Sequence, residues 1–235
     1  KPRHTTNSNH RYHKWKNLIH GFEPMAANQL WAADITYIML NNGDVCYLHL
    51  ITDAYSRMIV GWELADTLRA SITIKALEQA ISQTGGVSLE GLIHHSDRGV
   101  QYCCDDYVRT LQTHKIKISM TEDYNPTDNA IAERANGVIK TETVYSRKTF
   151  NSLEHARNVI GRFIHFYNYR RPHMSIGYKI PAVVHTETGA QKKMWKKKNY
   201  TKKMYNNENN GISLPCRTTG EDDGCNHHTV YSIKE

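Results

Sequence analysis

The sequence predicts a mixed α/β domain, with a five-stranded sheet flanked by helices. Three β-rich runs come first, "LWAADITYIML" (30–40), "DVCYLHLITDAYS" (44–56) and "RMIVGWELA" (57–65), and an Asn-Asn-Gly turn at 41–43 separates the first two. The later strands alternate with helices, which predicts an antiparallel start followed by parallel strands. The 235 residues, 39% of them apolar, suffice for one such domain with appendages.

The remaining elements follow from periodicity and from helix-ending residues. Apolar residues at helical spacing in 71–83 predict a helix that ends at the Gly-Gly pair 85–86. Proline at 172 ends the last predicted helix, and Asp128 or Asn129 is the expected cap of the one before it. The further predicted elements are strands over 91–96 and 115–120 and helices over 102–114, 128–144 and 153–172.

Charge divides the chain into three parts. Residues 1–28 are predicted to be an N-terminal arm or linker, 29–188 the core, and 189–235 a basic low-complexity tail. The formal net charge is +7, and the basic excess lies in the two flanks around a near-neutral middle. Nucleic acid is therefore the expected partner. No run of residues predicts a signal peptide or a membrane span.

Two features of the chain beyond the core leave alternatives open. The tail's lysines, interleaved with Trp195, Tyr200 and Tyr205, favour nonspecific nucleic-acid contact over a solubilising end. The five cysteines show no framework spacing, so reduced thiols and a cytoplasmic location are expected. A zinc site is disfavoured because the cysteine spacing fits no common pattern, although the tail holds Cys216, Cys225, His227 and His228.

Three acidic residues lie in apolar stretches of sequence, where burying a carboxylate is costly unless it has a function or a partner. Asp34 interrupts the first strand, Asp97 follows the fourth, and Glu133 lies in a helix. If the first and fourth strands are neighbours, Asp34 and Asp97 lie side by side and the helix presents Glu133 to the same point. Three converging carboxylates repel one another unless cations are present. The sequence therefore predicts a site for Mg²⁺ or Mn²⁺, with two ions expected for phosphodiester chemistry.

Five blocks of the chain, in the right order and spacing, resemble the catalytic core of DDE transposases of the IS3 insertion-sequence type, which is related to retroviral integrases. They are "WAADITYI", "ITDAYSRMIVGW", "LIHHSDRGVQY", "SMTEDYNPTDNAIAERANGVIKTE" and "YNYRRPHMSIGYKIP". The resemblance implies a ribonuclease-H-like fold. It also implies that Asp34, Asp97 and Glu133 are the metal-binding catalytic triad, with 35 residues between the last two.

The resemblance further implies DNA cleavage at the ends of a mobile element, followed by strand transfer by the freed 3′-hydroxyl. By the same resemblance Lys140 is expected to contact DNA near the cut end, and Asn129 to orient its helix or meet a phosphate. A homo-oligomer on DNA is expected by analogy. The helix-turn-helix region that reads element ends in the family is missing from this chain, so a longer protein or a partner is expected to supply it.

Several residues have a second interpretation. Asp53 is predicted to be structural, at a turn with Arg57, rather than catalytic. Arg98 contacts either phosphate or a carboxylate, and His94 and His95 either pack in the core or approach the metal-bound water or DNA. Asp105 and Asp106 are predicted to cap or solvate their helix. A helix-ending role is at least as probable as catalysis for the block of Tyr167, Asn168, Arg171, Pro172 and His173.

Two other functions fit a core of this kind. A metal-dependent nuclease acting on RNA–DNA hybrids or junctions shares the fold, and strand transfer into a target duplex distinguishes it from a transposase. A DNA-binding or scaffolding protein with a degenerate core would bind without cleaving, and the intact triad argues against it.

Overall fold

The computed structural model describes residues 7–122, 129–144 and 150–191, which form a sheet with helices on both faces. The strands are β1 (Leu30–Met39), β2 (Val45–Asp53), β3 (Ile59–Ala65), β4 (Ile93–Ser96) and β5 (Lys117–Met120). The helices are α1 (Ala70–Gln83), α2 (Val100–Cys103), α3 (Asp105–Thr113), α4 (Ala130–Ile139), α5 (Leu153–Tyr169) and α6 (Pro181–Val184), with a π-helical turn at Lys140–Val144 and a 3₁₀ turn at Met174–Ile176.

The five strands lie in the order β3-β2-β1-β4-β5. Strand β1 is central, antiparallel to β2 and parallel to β4, while β5 is parallel to β4. The predicted mixed sheet with an antiparallel start and parallel later strands is confirmed. The placement of the first strand beside the fourth, on which the carboxylate site depends, is also confirmed.

Alternation along β1 divides the core into two layers. Trp31, Ala33 and Ile35 pack with Leu77 of α1 and Tyr107 of α3. The opposite face of the sheet packs against α4 and α5 through a second buried cluster, which includes Ile38, Leu48, Leu50, Ile139 and Ile160. Because side chains alternate along a strand, Asp34 lies on the α4 side of the sheet.

Helix boundaries differ from the prediction in the middle of the chain. The predicted helix 102–114 is two helices, because Cys104 between them has an extended backbone (φ −68°, ψ 150°). The predicted helix 128–144 is α4 followed by the π-helical turn. The proposed cap Asp128, the loop before it and the zinc and aromatic residues of the tail lie outside the described residues.

Close packing of α1 on β3 depends on Gly61. A Cβ at this position would lie 2.1 Å from the carbonyl oxygen of Ala76 and 3.0 Å from the Cβ of Ala80. The Ala76 oxygen is backbone within the helix, so it cannot move aside without displacing α1.

Gly61→Ala is therefore expected to lower the free energy of unfolding by about 3 kcal/mol, measured by urea denaturation. Gly137→Ala, in α4, is the matched control, since nothing lies within 4 Å of the added Cβ. That control should gain up to about 1 kcal/mol, because alanine favours a helix more than glycine does. Equal effects of the two substitutions would contradict the close approach of α1 to β3.

Residues before β1 lie along the β4–β5 side of the sheet. The amide of Leu18 donates to Ser119 Oγ (2.8 Å), and His10 Nε2 contacts the carbonyl of Arg98 (2.8 Å). Trp15 is partly buried against the core. Within the described ranges, no helix combines the length and apolarity that a membrane crossing requires.

Candidate active site

Two carboxylates lie near the centre of the sheet, Asp34 on the central strand β1 and Asp97 directly after the neighbouring strand β4. The parallel register pairs Leu30 with Ile93 and Ala32 with His95. Asp34 follows Ala32 by two residues and Asp97 follows His95 by two, so continuation of the register places these carboxylates opposite each other. Asp34 contacts Asn136 of α4, and the charge of Asp97 acts on the Asp34 carboxylate, as the predicted pairing requires.

The two carboxylates interact electrostatically. The pKa of Asp34 is raised to about 7, first by burial, then by the negative charge of Asp97, and least by the charge of Glu133. Hydrogen bonds from Asn136 and the backbone of Ile35 act the other way. A cation between these oxygens would remove the repulsion.

Helix α4 presents a polar stripe toward β1. Asn129, Glu133, Asn136 and Lys140 are spaced four, three and four residues apart, so they share one helix face. Asn136 Nδ2 donates to Asp34 Oδ2 (2.6 Å), and Asn129 Nδ2 donates to the carbonyl of Ala33 (3.0 Å). Both asparagines are buried, so α4 is held against the strand that carries Asp34.

Glu133 lies between the two asparagines on this stripe, but its side chain is exposed. It lines an open cavity of about 530 Å³ together with Arg134, Gly137 and Thr141. In the part of the chain that the structure describes, no three His, Cys, Asp or Glu side chains are close enough together to hold a metal ion. The structure thus brings Asp34 and Asp97 together and places Glu133 on the facing helix, with its carboxylate turned to solvent.

The donor set fits a hard divalent cation. All three predicted ligands are carboxylates, which Mg²⁺ and Mn²⁺ prefer. Burial and then the charge of Asp97 disfavour the ionised form of Asp34, and a bound cation would favour it. Asp34 and Asp97 are fixed by strands, and a change of the Glu133 side-chain rotamer is the adjustment that would bring the third ligand toward them.

Lys140, the predicted DNA contact, lies beside the site. Its Nζ is 4.6 Å from the centre of the Tyr37 ring, a cation–π contact three residues along β1 from Asp34. Burial lowers the pKa of Lys140, and the charge of Asp34 opposes that shift. The side chain is half-buried, so its contact with DNA stays a prediction.

Asn129, the other predicted contact on α4, is the N-cap residue by position, but its side chain does not cap the helix. Its hydrogen bond to Ala33 supports the interpretation that it orients the helix. With 7% of its surface exposed, the residue is poorly placed to meet a phosphate.

Asp97 also shapes the turn that follows β4. Its Oδ1 accepts a hydrogen bond from the amide of Gly99 (2.9 Å), which leads the chain into α2. Arg98 between them is partly exposed, and its Nε is buried without a hydrogen-bond partner among the described residues. Neither of the two predicted interpretations of Arg98 is settled by these contacts.

His94 and His95 are packed in the core. His94 Nε2 is 2.9 Å from the Tyr107 hydroxyl, and His95 Nδ1 is 2.8 Å from Ser119 Oγ. Neither side chain is more than 1% exposed. Burial, followed by the charge of His95, lowers the pKa of His94 to about 3. Of the two predicted interpretations, the structure supports the packed one.

Asp53 has the structural role that the sequence predicts. It is fully buried, and its oxygens accept hydrogen bonds from the amides of Asn28, Tyr55 and Ser56 and from the Ser56 hydroxyl. These bonds close the turn between β2 and β3. The turn includes Arg57, whose φ of +68° is unusual for a residue other than glycine.

The block after Tyr167 ends α5 and ties it to the sheet. The side-chain amide of Asn168 accepts a hydrogen bond from the backbone amide of Ile59 and donates one to its carbonyl, both at 2.9 Å. It therefore bonds to β3 as the backbone of a neighbouring strand would. Arg171 donates from Nε to both oxygens of Glu142 at 3.1 and 3.0 Å. Asp105 and Asp106 lie in the first turn of α3, as predicted.

Sequence reasoning missed Asn136, the side chain that contacts Asp34. The available signal was an amide three residues after Glu133, on the face of the helix that also carries Ala132, Ala135 and Ile139 in the run "AIAERANGVI". A polar group on the buried face of a helix needs a hydrogen-bond partner, and the carboxylate supplies it.

A mixed sheet with one carboxylate on its central strand, a second directly after the neighbouring strand and a third on a facing helix defines an integrase-type catalytic core. The integrase core domain family matches residues 24–126, and a second family of the same description matches residues 114–181. The fold is similar to the catalytic core domain of HTLV-2 integrase solved with magnesium in a trimeric form: TM-score 0.55, 20% identity, 69% of this chain and 99% of that one. The ribonuclease-H-like fold is therefore confirmed.

Curated relatives identify the family more closely. A putative transposase for insertion sequence IS986/IS6110 from Mycobacterium tuberculosis is 36% identical over 174 residues, 73% of this chain and 62% of the relative. The IS600 31 kDa protein of Shigella sonnei is 40% identical over 180 residues, 76% of this chain and 65% of the relative. The chain belongs to the DDE transposases of insertion sequences, and it spans less than two thirds of these relatives.

Proposed function

We propose that this chain is the catalytic core of a transposase that cleaves DNA at the ends of a mobile element and transfers the cut strand to a target duplex. The observation that carries the proposal is the proximity of Asp34 on β1 and Asp97 directly after β4, with Glu133 on the facing helix α4. Membership of the integrase-core family supports the same chemistry and implies a divalent metal.

The residues have distinct roles in this proposal. Asp34, Asp97 and Glu133 would hold the divalent cation, and Asn136 orients the Asp34 carboxylate through its 2.6 Å hydrogen bond. Two ions, Mg²⁺ or Mn²⁺, would supply Lewis-acid stabilisation of charge at the phosphodiester. Lys140, close to the same strand, places a positive charge where the DNA backbone would approach.

The reaction conserves phosphodiester bonds in its second step. In the first step, water attacks the phosphodiester at the element end and a 3′-hydroxyl leaves. In the second, that hydroxyl attacks a phosphodiester of the target strand, and one bond forms as another breaks. No side chain needs to become covalently attached to DNA, and no external energy source is required.

The test compares wild type with Glu133→Gln on a labelled oligonucleotide that carries an element end, with Mn²⁺ or Mg²⁺ and with EDTA. We expect metal-dependent cleavage and strand-transfer products from the wild type and a loss of at least about 10²-fold in the variant. Glu133 is exposed, so the variant should fold normally. Glu154→Gln, in the first turn of α5, is the matched control and should retain activity.

Each result separates the functions that share this fold. Products that persist in Glu133→Gln would contradict the triad. Cleavage of RNA–DNA hybrids without strand transfer would indicate a nuclease, and DNA binding without any cleavage would indicate a scaffold or a core that needs the rest of the protein. Repeating the assay with a chain as long as the relatives distinguishes the last two.

Assembly on DNA is part of the same proposal. The matched HTLV-2 core was solved in a trimeric form, and an integrase of simian T-cell lymphotropic virus in an intasome. We expect this chain to act as a homo-oligomer that bridges two DNA ends, in the cytoplasm beside the chromosome.

A further inference from the structure

A second, smaller cavity is lined in part by α4 and by Thr52 of β2. Its volume is about 140 Å³, room for a few water molecules at about 30 Å³ each. Helix α4, the β2–β3 turn, the end of α5 and the 3₁₀ turn contribute its walls. We call it the arginine pocket, and its polar lining is Thr52, Arg57, Arg134, Tyr167, His173 and Ser175.

The pocket holds more positive charge than its surroundings neutralise. Arg134 makes no hydrogen bond or ion pair with any described residue, and among these residues Arg57 donates a single side-chain bond, from Nε to Ser175 Oγ (3.1 Å). Asp53 lies near Arg57, but both of its oxygens already accept bonds from other groups. Arg171, close by, is paired with Glu142.

Arg57 is held in a fixed orientation. Ser175 Oγ, which accepts from Arg57, is 2.8 Å from His173 Nδ1, and the Ser175 amide also donates to that nitrogen (3.2 Å). Burial, and then the charges of Arg57, Arg171 and Arg134, lower the pKa of His173 to about 4. His173 is therefore neutral near pH 7 and accepts these bonds without adding charge to the pocket.

Thr52 supplies an independent observation. It is 1% exposed, and its hydroxyl has no hydrogen-bond partner among the described residues, although it lines the pocket. A buried hydroxyl without a partner is costly, so a polar ligand in the pocket would satisfy it. The Arg134 guanidinium, the remaining N–H groups of Arg57 and the Thr52 hydroxyl are donors that suit an anion with several oxygens.

The pocket adjoins the cavity beside Glu133, since Ala130 and Arg134 line both. We propose that the arginine pocket binds one phosphate of the DNA backbone, on the strand that passes Glu133. Arg57 and Arg134 would pair with the phosphate oxygens, and the Thr52 hydroxyl would donate a hydrogen bond to one of them. The choice of DNA as the source of the phosphate rests on the proposed function.

The first test measures binding to a short duplex in EDTA, so that the metal site plays no part. Arg134→Ala is compared with Arg162→Ala, which removes the same charge from an exposed position of α5. We expect Arg134→Ala to weaken binding about fivefold relative to that control. It should also reduce the slope of log affinity against log salt by about 0.9, the value for one phosphate contact on a duplex. Equal effects of the two substitutions would overturn the proposal.

The second test uses inorganic phosphate as the probe and Thr52→Val as the variant. Valine preserves the shape of the side chain and removes only a hydroxyl that makes no hydrogen bond. The melting temperature of Thr52→Val without phosphate should therefore equal or exceed that of the wild type. Phosphate should raise the melting temperature of wild type above that in chloride of equal ionic strength, and this increment should disappear in Thr52→Val. An increment retained in Thr52→Val would contradict the pocket as an anion site.

The two tests together identify the source of the anion. Phosphate stabilisation that depends on Thr52, combined with equal DNA binding by Arg134→Ala and its control, would mean that the pocket takes a free anion, and would overturn the DNA assignment. A failure of the proposed function would give a different result. Strand transfer would persist in Glu133→Gln, while Arg134→Ala would still weaken DNA binding.

Discussion

Asp34→Asn is expected to reduce strand transfer by at least about 10³-fold and at the same time to make the metal-free protein more stable at about pH 8. The loss of activity follows from the proposed role of Asp34 as the central metal ligand. The gain in stability follows from its surroundings in the absence of metal, where burial and the charge of Asp97 disfavour the ionised carboxylate.

The pH dependence of this stability effect has a definite sign. The pKa of Asp34 is raised from 3.8 to about 7, so the folded protein binds the proton more tightly than the unfolded chain. Stability therefore falls as pH rises from about 4 to about 7, and the full penalty is present above that range. The shift corresponds to an upper limit of about 4 kcal/mol, and relaxation of the site should leave about 1–2 kcal/mol.

Urea denaturation of wild type and Asp34→Asn in EDTA measures the effect. The difference in unfolding free energy should be about 1–2 kcal/mol near pH 8 and close to zero near pH 4. The amide oxygen of asparagine can still accept the hydrogen bond from Asn136, so the packing of α4 is preserved. In wild type, Mg²⁺ should add stability that the variant lacks. A variant less stable than wild type at pH 8 would contradict the electrostatic argument.

Asp53→Ala is expected to lower the free energy of unfolding by about 3–5 kcal/mol, the largest structural effect in the β2–β3 turn. Truncation leaves three amides and the Ser56 hydroxyl without their buried acceptor. It also removes a negative charge close to Arg57. Chemical denaturation of the purified variant measures the loss, and a low yield of folded protein is consistent with it.

Asp66→Ala is the control for this substitution. Asp66 follows β3 and is exposed, so its removal should change stability by no more than about 0.5 kcal/mol. Strand transfer by Asp53→Ala, measured per folded molecule at low temperature, should remain within about tenfold of wild type, because Asp53 touches no residue of the triad. Similar stability of the two variants would show that the hydrogen bonds of Asp53 contribute little.

The elements that the sequence predicts well are those with strong local patterns. The alternating run 30–40, the Gly-Gly end of α1 and the Pro172 end of α5 all correspond to observed boundaries within a few residues. The position of Asp34 on β1 and Asp97 after β4 follows from the same patterns, once the two strands are neighbours. Local sequence patterns therefore predict most of the strands and helices that carry the site.

The features that were missed depend on contacts between distant segments. The break at Cys104 involves neither glycine nor proline, so no local signal marks it. Ser175 lies more than 100 residues of chain away from Thr52 and Arg57, so the three form one pocket only after α5 packs on β3. Helix α6 has four residues, too few to show periodicity.

The two asparagines of α4 have a consequence for the entropy of reaching the active arrangement. Asn129 and Asn136 form hydrogen bonds to β1 from positions seven residues apart on the helix, about 10 Å along its axis. A helix held at two such points can neither roll nor slide along the strand, since a roll by one residue, about 100°, would break both bonds. The orientation of the Glu133 backbone is thus settled during folding, and only side-chain rotation remains to be frozen when cation and DNA arrive.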